Sequence, residues 1–203
     1  MQSITVDREA IYPSKVVCIG RNYVEHIAEL GNEIPDEPVL FIKPNSALAD
    51  TLQRSTAEPI HYEAEIAFCV QHGGLAAVGF GLDLTKRGVQ SFLKSKGLPW
   101  ERAKAFDGAA VFSHFVRFGG NMEGLRLELH INGELIQSGG YEHMLHKPDQ
   151  VKAEIEKSFT LEDGDVVMTG TPKGVGELIN GDVFCGKIFD GPLLLVETTW
   201  RVG

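Results

Sequence analysis

The amino-acid sequence predicts an α+β protein in which strands dominate. Most of its patterned segments are short apolar or alternating runs bounded by Gly, Asn or Asp, as strands and their turns are. Helical patterns are few and do not alternate regularly with the strands, which argues against a doubly wound parallel sheet. A length of 203 residues, 43% of them hydrophobic, suits one globular domain, residues 1–203, or one domain with a short N-terminal extension.

The first half of the chain predicts mainly strands. In chain order, the apolar runs that predict them are Lys15–Gly20, Val39–Pro44, Ile60–Phe68 and Leu75–Thr85. The run that starts at Arg21 predicts a helix ending at Gly31, because glycine is preferred just after a helix. A second helix is predicted from Thr85 to Lys96, with the Thr85 hydroxyl as its N-terminal cap.

The second half predicts a hairpin, one helix and a set of late strands. Apolar and polar residues alternate over Leu125–Gln137 around Asn132-Gly133, which is a strong signal for a two-residue hairpin turn. Residues 148–159 predict a helix with Pro148 near its start. The late strand-rich runs are Asp165–Gly176, Asp182–Phe189 and Pro192–Trp200.

Composition excludes several classes of protein. The net charge is −9, which disfavours binding to nucleic acid or to anionic membranes. The apolar runs are too short to span a bilayer, and the N-terminus lacks the apolar core of a signal peptide. Cys18, Cys69 and Cys185 lie far apart and read as free thiols in a reducing compartment. We therefore expect a cytoplasmic protein with no nucleic-acid or membrane partner.

Two carboxylates interrupt the strand Ile60–Phe68. Because strand side chains alternate between faces, Glu63 and Glu65 share one face and lie about 7 Å apart. Like charges at a semi-buried face need a shared proton, a basic side chain or a divalent cation. Asp83 is a third acid within an apolar strand, and three oxygen donors suit a hard cation such as Mg²⁺ or Mn²⁺. The alternative is a pair of solvated glutamates on an exposed strand edge.

The first helix and two later segments hold further candidates. His26 and Glu29 are three residues apart and therefore neighbours on the helix, either as a general base with its orienting carboxylate or as a surface ion pair. Lys104 lies between two alanines and is either a partly desolvated anion ligand or a solvated lysine. The glycine-rich run Thr169–Gly176, which includes Gly170 and Thr171, either grips a carboxylate or forms a simple turn.

The connection Gly31–Pro38 follows the helix that carries His26 and Glu29. Its prolines, glycine and polar residues predict either a cover that closes over the site when substrate binds or a fixed surface connection.

Taken in order, these residues fall in motifs that resemble the fumarylacetoacetate hydrolase family. The motifs extend over nearly the whole chain, and the resemblance is to its short single-domain branch of acylpyruvases and oxaloacetate-processing enzymes. The motif positions are Gly20–Glu29, Pro38–Pro44, His61–Phe68, Leu82–Thr85, Lys96–Asp107, Ile131–Gly139 and Asp165–Gly176.

The resemblance implies a fold, an assembly and a set of site residues. The implied fold is a mixed β-sandwich roll like that of the family's C-terminal domain, and the implied assembly is a homodimer. The implied site residues are the Mg²⁺ or Mn²⁺ ligands Glu63, Glu65 and Asp83, the catalytic residues His26, Glu29 and Lys104, and the substrate contacts Arg21, Gln137, Gly170 and Thr171.

The resemblance also implies a small 2-oxo acid as substrate. We expect Mg²⁺-dependent hydrolysis of a C–C bond in an acylpyruvate or fumarylpyruvate, because His26 and Glu29 can activate water. Decarboxylation and keto–enol tautomerisation of oxaloacetate are the alternatives, since all three reactions share an enolate. A non-catalytic oxo-acid-binding module is a third reading, and the presence of ligands, His–Glu pair and lysine argues against it.

Overall fold

A computed structural model describes residues 1–31, 33–35, 37–55, 57–119 and 121–203 of the chain. The strands of the first half are β1 Ile4–Val6, β2 Glu9–Ile11, β3 Lys15–Gly20, β4 Val39–Pro44, β5 Leu48–Ala49, β6 Ile60–Tyr62, β7 Ala64–Gln71, β8 Gly74–Asp83 and β9 Thr85–Lys86. Those of the second half are β10 Ala110–Phe112, β11 Val116–Arg117, β12 Leu125–Ile131, β13 Glu134–Gly140, β14 Val166–Met168, β15 Gly176–Glu177, β16 Val183–Asp190 and β17 Leu193–Arg201.

Helices are short and lie between the strands. The α-helices are α1 Val24–Glu29, α2 Arg87–Ser95, α3 Glu101–Lys104 and α4 Pro148–Glu156, and the 3₁₀ helices are Asn45–Ala47, Met122–Gly124 and Tyr141–His143. Among the described residues, no helix combines the length and apolar character that crossing a bilayer would require.

Two large curled sheets make up most of the fold. The larger runs in the order β4-β3-β14-β7-β8-β10-β5, with β11 also paired to β8. Most of its neighbours are antiparallel, but β3 pairs with β14 and β5 with β10 in parallel, so the sheet is mixed. The second sheet runs in the order β13-β12-β16-β17 and is antiparallel throughout. This arrangement confirms the predicted mostly β, α+β sandwich roll.

The core lies where the two sheets face each other. Strand β16 alternates buried and partly exposed residues, as expected for a sheet with one face on a core. Phe80 of β8 and Phe184 and Ile188 of β16 are fully buried there. Gly186 permits this close approach, because a Cβ atom at that position would lie 2.6 Å from the Phe80 ring.

The end of the predicted first helix and the hairpin turn are confirmed, but the helix begins at Val24 and not at Arg21. Gly31 has a φ of +61° and its N–H donates to Ala28 O over 3.0 Å, so it ends α1 as expected. Asn132 and Gly133 have φ angles of +53° and +87°, the pair of positive values that a type I′ turn requires.

The predicted cap at Thr85 is wrong. Helix α2 begins at Arg87 after Lys86, and Thr85 belongs to β9, where it pairs with His61. Its buried hydroxyl accepts a hydrogen bond from Lys104 Nζ over 2.6 Å. A charge-assisted bond of this kind is stronger than a neutral cap, which explains why the hydroxyl turns away from the helix.

The strand predicted over residues 60–68 is divided at Glu63. Strand β6 pairs with β9 and β15, whereas β7 pairs with β8 and β14. The Glu63 carbonyl accepts from the Asp83 N–H over 2.8 Å, so the end of β8 is fixed against this junction. The division brings two of the candidate acids together at neighbouring strand ends.

The predicted cover segment, residues 31–38, includes Asn32 and Asp36, which lie outside the described residues. Its closure over the site stays a prediction.

Sheet packing at Gly186 gives a testable consequence. The variant Gly186→Ala places a methyl group against the Phe80 ring, and we expect a loss of about 1–3 kcal/mol in the free energy of unfolding. Gly88→Ala, in α2, meets no atom within 4 Å and should instead add about 0.5–1 kcal/mol, because alanine is the better helix former. Urea unfolding of both variants checks the signs; an unchanged midpoint for Gly186→Ala would contradict the tight contact between the sheets.

Candidate active site

A narrow cleft gathers most of the predicted site residues. Those that line it are Arg21, His26, Glu63, Glu65, Asp83, Lys104 and Thr171. Apolar side chains complete the wall, among them Ile27, Leu30, Phe41 and Trp100. Glu29, Gln137 and Gly170 contact lining residues from behind the wall.

The three acids form a buried cluster. Glu63, Glu65 and Asp83 are 5%, 1% and 1% exposed, and one carboxylate oxygen from each lies within 4.8 Å of the others. Side chains so deeply buried are not the solvated glutamates of an exposed strand edge. Three carboxylates held this closely require compensating positive charge or protons.

Lys104 supplies part of that charge. Its Nζ donates to Glu63 Oε2 and Asp83 Oδ2, each over 2.7 Å, and the side chain is 3% exposed. Burial would lower the pKa of Lys104, but the carboxylates of Asp83 and Glu63 outweigh burial and raise the pKa above its usual value. Lys104 is therefore a permanently charged partner of the acids rather than a solvated lysine.

Two further cations were missed from the sequence. Lys43 is fully buried, with its Nζ 2.8 Å from Asp83 Oδ1 and donating to the Lys104 carbonyl. Arg87 donates to Glu63 Oε1 through Nη2 and to Gln90 Oε1 through Nη1. Lys43 could have been found in the sequence by the signal that identified Asp83, namely a charged residue within an apolar strand. Arg87 has no comparable signal, because it lies at the start of a polar helix.

Glu65 differs from Glu63 in its environment. Burial raises the pKa of Glu63, but Lys104 and Arg87 outweigh burial and hold that pKa well below its usual range. For Glu65, burial and the charges of Asp83 and Glu63 raise the pKa well above its usual value. Without a bound cation, these surroundings favour the ionised form of Glu63 and the protonated form of Glu65.

Gly170 positions Glu65. Its N–H donates to Glu65 Oε2 over 2.6 Å, with a φ of +92°. A Cβ atom at this position would lie 2.8 Å from Asn22 Cβ, so only glycine brings this N–H so close to the acid. The N–H that was predicted to contact substrate is thus engaged by a candidate metal ligand.

The donor set fits a divalent cation. In the described part of the chain, Asp83 Oδ1 accepts no hydrogen bond, although it forms an ion pair with Lys43, whose Nζ lies 2.8 Å away. A cation that bound this oxygen would share it with Lys43. Three carboxylate donors suit Mg²⁺ or Mn²⁺, which prefer oxygen ligands.

His26 and Glu29 form the predicted pair at the wall of the cleft. His26 Nδ1 lies 3.0 Å from Glu29 Oε2, and the Gly174 N–H donates to Glu29 Oε1 over 2.9 Å. Since Nδ1 is bound to the carboxylate, Nε2 is the nitrogen left for a reacting group. His26 is 6% exposed, so this is not a surface ion pair.

Gln137 supports the site from behind Thr171. Its Oε1 accepts from the Ala64 N–H over 3.0 Å, and its Nε2 donates to Thr171 Oγ1 and Pro172 O over 2.9 and 2.8 Å. The amide is thus engaged by protein groups, and Gln137 does not line the cleft, whereas Thr171 does. Because Gln137 bonds both Ala64 of β7 and Thr171, it fixes Thr171 relative to the acids.

Arg21 stands directly after β3 with a φ of +57°. Residues other than glycine rarely adopt this left-handed conformation, and such strain persists where the surrounding structure holds a residue in a particular direction. Arg21 lines the cleft.

Solved structures share this fold over the full chain. A protein from Oleispira antarctica, provisionally described as a fumarylacetoacetate isomerase/hydrolase, is 35% identical, with a TM-score of 0.95 and complete coverage of both chains. A fumarylpyruvate hydrolase from Pseudomonas aeruginosa, solved with Mn²⁺ and pyruvate, is 28% identical. Its TM-score is 0.88, and the match covers 99% of this chain and 95% of that one.

Curated relatives correct the predicted main activity. Oxaloacetate tautomerase YcgM from Escherichia coli is 46% identical over 200 residues, 89% of this chain and 90% of the relative. The mitochondrial oxaloacetate tautomerase oaa1 of Schizosaccharomyces pombe is 35% identical over 197 residues, 86% of this chain and 88% of the relative. Relatives matched over nearly their whole length are thus oxaloacetate tautomerases, and our prediction of acylpyruvate hydrolysis is wrong. A His–Glu pair identifies a base but not the proton that the base removes.

The family that the sequence motifs indicated is confirmed. The fumarylacetoacetate hydrolase C-terminal family matches residues 15–196, a span that includes every candidate site residue named above. With these relatives, solved structures and cleft residues in agreement, the chain belongs to the fumarylacetoacetate hydrolase family of enzymes.

Proposed function

We propose that this protein interconverts the keto and enol forms of oxaloacetate. One observation carries the proposal: a buried histidine, His26, which is paired with Glu29, faces the same cleft as a cluster of three carboxylates, in a chain 46% identical to an oxaloacetate tautomerase. Proton transfer next to a keto group needs a base and a site that stabilises negative charge, and the cleft offers both.

Tautomerisation requires fewer catalytic steps at the site than hydrolysis does. The base takes a proton from C3, the electron pair of that C–H bond forms the C2–C3 double bond, the C2=O π pair moves onto the oxygen, and the protonated base returns the proton to that oxygen. No carbon–carbon bond breaks and no water molecule enters the product. The apolar wall formed by Ile27, Leu30, Phe41 and Trp100 suits a reaction from which water is excluded.

His26 is the proposed base. Its Nε2 takes the proton from C3, while Glu29 holds Nδ1 and stabilises the imidazolium that forms. The Gly174 N–H fixes Glu29 in turn, so the orientation of the imidazole depends on the backbone of the 169–176 segment. Lys104 keeps its proton, because its raised pKa and three hydrogen bonds hold it charged; it balances the carboxylates instead of acting as an acid.

The proposed cofactor is Mg²⁺ or Mn²⁺. Glu63, Glu65 and Asp83 would hold the divalent cation, which would act as a Lewis acid toward the 2-keto oxygen. The Mn²⁺ and pyruvate in the fumarylpyruvate hydrolase from Pseudomonas aeruginosa support this choice of cofactor.

Two expectations from the sequence stay predictions: that the chain acts as one catalytic domain and that it forms a homodimer. Limited proteolysis tests the first and light scattering the second.

The variant His26→Ala tests the proposed activity. With Mg²⁺ present, wild-type protein should accelerate the approach of oxaloacetate to keto–enol equilibrium, followed by the ultraviolet absorbance of the enol. His26→Ala should lose about 10²–10⁴-fold of that acceleration, the usual contribution of a general base. His72→Ala, whose imidazole is 95% exposed and outside the cleft, is the matched control and should keep full activity.

A second readout separates tautomerisation from the alternatives. Proton NMR should show that total oxaloacetate falls no faster with the enzyme than without it. Enzyme-dependent release of pyruvate with no faster keto–enol exchange would show a decarboxylase instead, and wild-type activity in His26→Ala would remove the base from the mechanism.

Metal binding should release a proton from Glu65. Because burial and neighbouring acids raise its pKa, the cation-free site favours the protonated carboxyl, and a protonated Glu65 must ionise to become a ligand. We therefore expect Mg²⁺ affinity to weaken as the pH falls, and the calorimetric binding enthalpy near neutral pH to depend on the ionisation enthalpy of the buffer. Glu65→Gln should abolish the buffer dependence and weaken binding, whereas Glu134→Gln, on the exposed hairpin, should change neither. A buffer-independent enthalpy for the wild type would mean that Glu65 is already ionised.

A further inference from the structure

Asn22 is a buried residue that links the end of β3 to two distant segments of the chain. Its side chain is 1% exposed. The amide nitrogen Nδ2 donates to Thr169 O and His146 O, each over 2.9 Å, and Oδ1 accepts from the His146 N–H over 2.7 Å. The Asn22 carbonyl accepts from the Leu145 N–H over 2.8 Å. Both ends of the side-chain amide are therefore engaged by backbone groups.

One of these bonds ends on the peptide group that holds Glu65. Thr169 O and the Gly170 N–H belong to the same peptide group, and that N–H donates to Glu65 Oε2 over 2.6 Å. The group is planar and trans, so its C=O and N–H point in opposite directions and cannot turn independently. Asn22 and Glu65 thus bind the two ends of one rigid unit.

Hydrogen bonds, and not side-chain sterics, set the orientation of this peptide group. On its first side, Thr169 is held to β7, because its N–H and its hydroxyl donate to Ile66 O over 3.2 and 2.8 Å. On its second side, Gly170 has no Cβ atom to restrict rotation. The bond from Asn22 therefore limits rotation of the group. It also polarises the C=O, which makes the N–H a stronger donor to the carboxylate.

A second asparagine makes the same bonds without a ligand at the far end. Asn45 Oδ1 accepts from the Gln2 N–H over 2.7 Å, and Nδ2 donates to Gln2 O and Pro13 O over 2.7 and 2.8 Å. All three residues lie outside the described lining of the cleft. Linking backbone segments is therefore an ordinary role for asparagine in this chain. What distinguishes Asn22 is that its partner peptide binds a candidate metal ligand.

We propose that Asn22 is a positioning residue of the metal site: by holding the Thr169–Gly170 peptide it aims the Gly170 N–H at Glu65, and so it raises the affinity of the acid cluster for a divalent cation. This inference rests on the proposed metal cofactor. Groups that bind a metal ligand from behind fix its direction before the metal arrives, and their loss commonly weakens metal binding.

Hydrogen exchange of the Gly170 amide, followed by NMR in the Mg²⁺-free protein, tests the positioning directly. Asn22→Ala should speed this exchange about tenfold more than that of the amides between β12 and β16, which report any general loss of stability. Asn22→Ser, whose hydroxyl ends one bond short of the amide nitrogen, takes the same test if Asn22→Ala does not fold. Unchanged protection of Gly170 relative to those amides would overturn the inference.

Calorimetry of Mg²⁺ binding tests the consequence. Asn22→Ala should weaken the affinity about tenfold, the low end of the range for groups that support a metal ligand. Asn45→Ala is the matched control, because it removes the same set of side-chain bonds outside the cleft, and it should keep the wild-type affinity. Equal losses in the two variants would mean that general stability, and not the orientation of one peptide, sets the affinity.

A double-mutant cycle shows whether Asn22 acts through Glu65. In a Glu65→Gln background, which removes the charge that the Gly170 N–H stabilises, Asn22→Ala should weaken Mg²⁺ binding less than about twofold further. A further loss of about tenfold in that background would place the effect of Asn22 elsewhere and overturn the inference.

The outcomes also separate this inference from the proposed activity. Equal Mg²⁺ affinities of the wild type and Asn22→Ala would overturn the role of Asn22 alone, whereas a wild type that binds no Mg²⁺ would overturn the cofactor as well. An affinity that depends on Asn22 would uphold the inference even in a protein that fails to accelerate oxaloacetate tautomerisation, because the measurement needs no turnover.

Discussion

Three carboxylates buried side by side are the constraint on which the rest of the site depends. Desolvation and mutual repulsion would each protonate or expose such acids in an ordinary core. Here Lys104, Lys43 and Arg87 lie around Glu63 and Asp83 and supply compensating positive charge. Glu65 is left with the raised pKa. The fixed cations thus pair with Glu63 and Asp83, whereas the hydrogen bond that the structure describes for Glu65 comes from the neutral Gly170 N–H, and Glu65 is the acid that a divalent cation would stabilise most.

The fold produces this cluster through its strand ends. Interruption of the pairing at Glu63 places this residue against the end of β8, where Asp83 is found, while Glu65 continues along β7 on the same face. The segment after β14 then closes the site, because Gly170 binds one acid and Gln137 fixes Thr171 beside it. Backbone hydrogen bonds from Asp83 and Gly170 thus help to fix the acids, and side-chain contacts from Lys104, Arg87 and Gln137 complete the arrangement.

The sequence predicted the parts that follow from local periodicity. Strand alternation placed Glu63 and Glu65 on one face, and the positions of Asn132-Gly133 and Gly31 predicted a turn and a helix end. It did not predict Lys43 and Arg87 as partners of the acids, because pairing between distant segments leaves no periodic signal. The prediction of a cap at Thr85 was wrong for the same reason: the Thr85 hydroxyl is bound by Lys104, which is distant in the sequence, and not by the N-terminus of the adjacent helix. The hydrolase prediction failed on chemistry, since a base removes a proton from carbon as well as from water.

The central claim is that the buried acids bind a divalent cation. The alternative is that they form only an ion-pair network with the neighbouring lysines and arginine. Anomalous diffraction from crystals grown with Mn²⁺ tests it most directly, because the metal is located without reference to activity. The account predicts one strong peak among the carboxylates of Glu63, Glu65 and Asp83, and no such peak there in Glu65→Gln. A cluster without Mn²⁺, in which Lys104 still bridges Glu63 and Asp83 as it does here, would contradict the account.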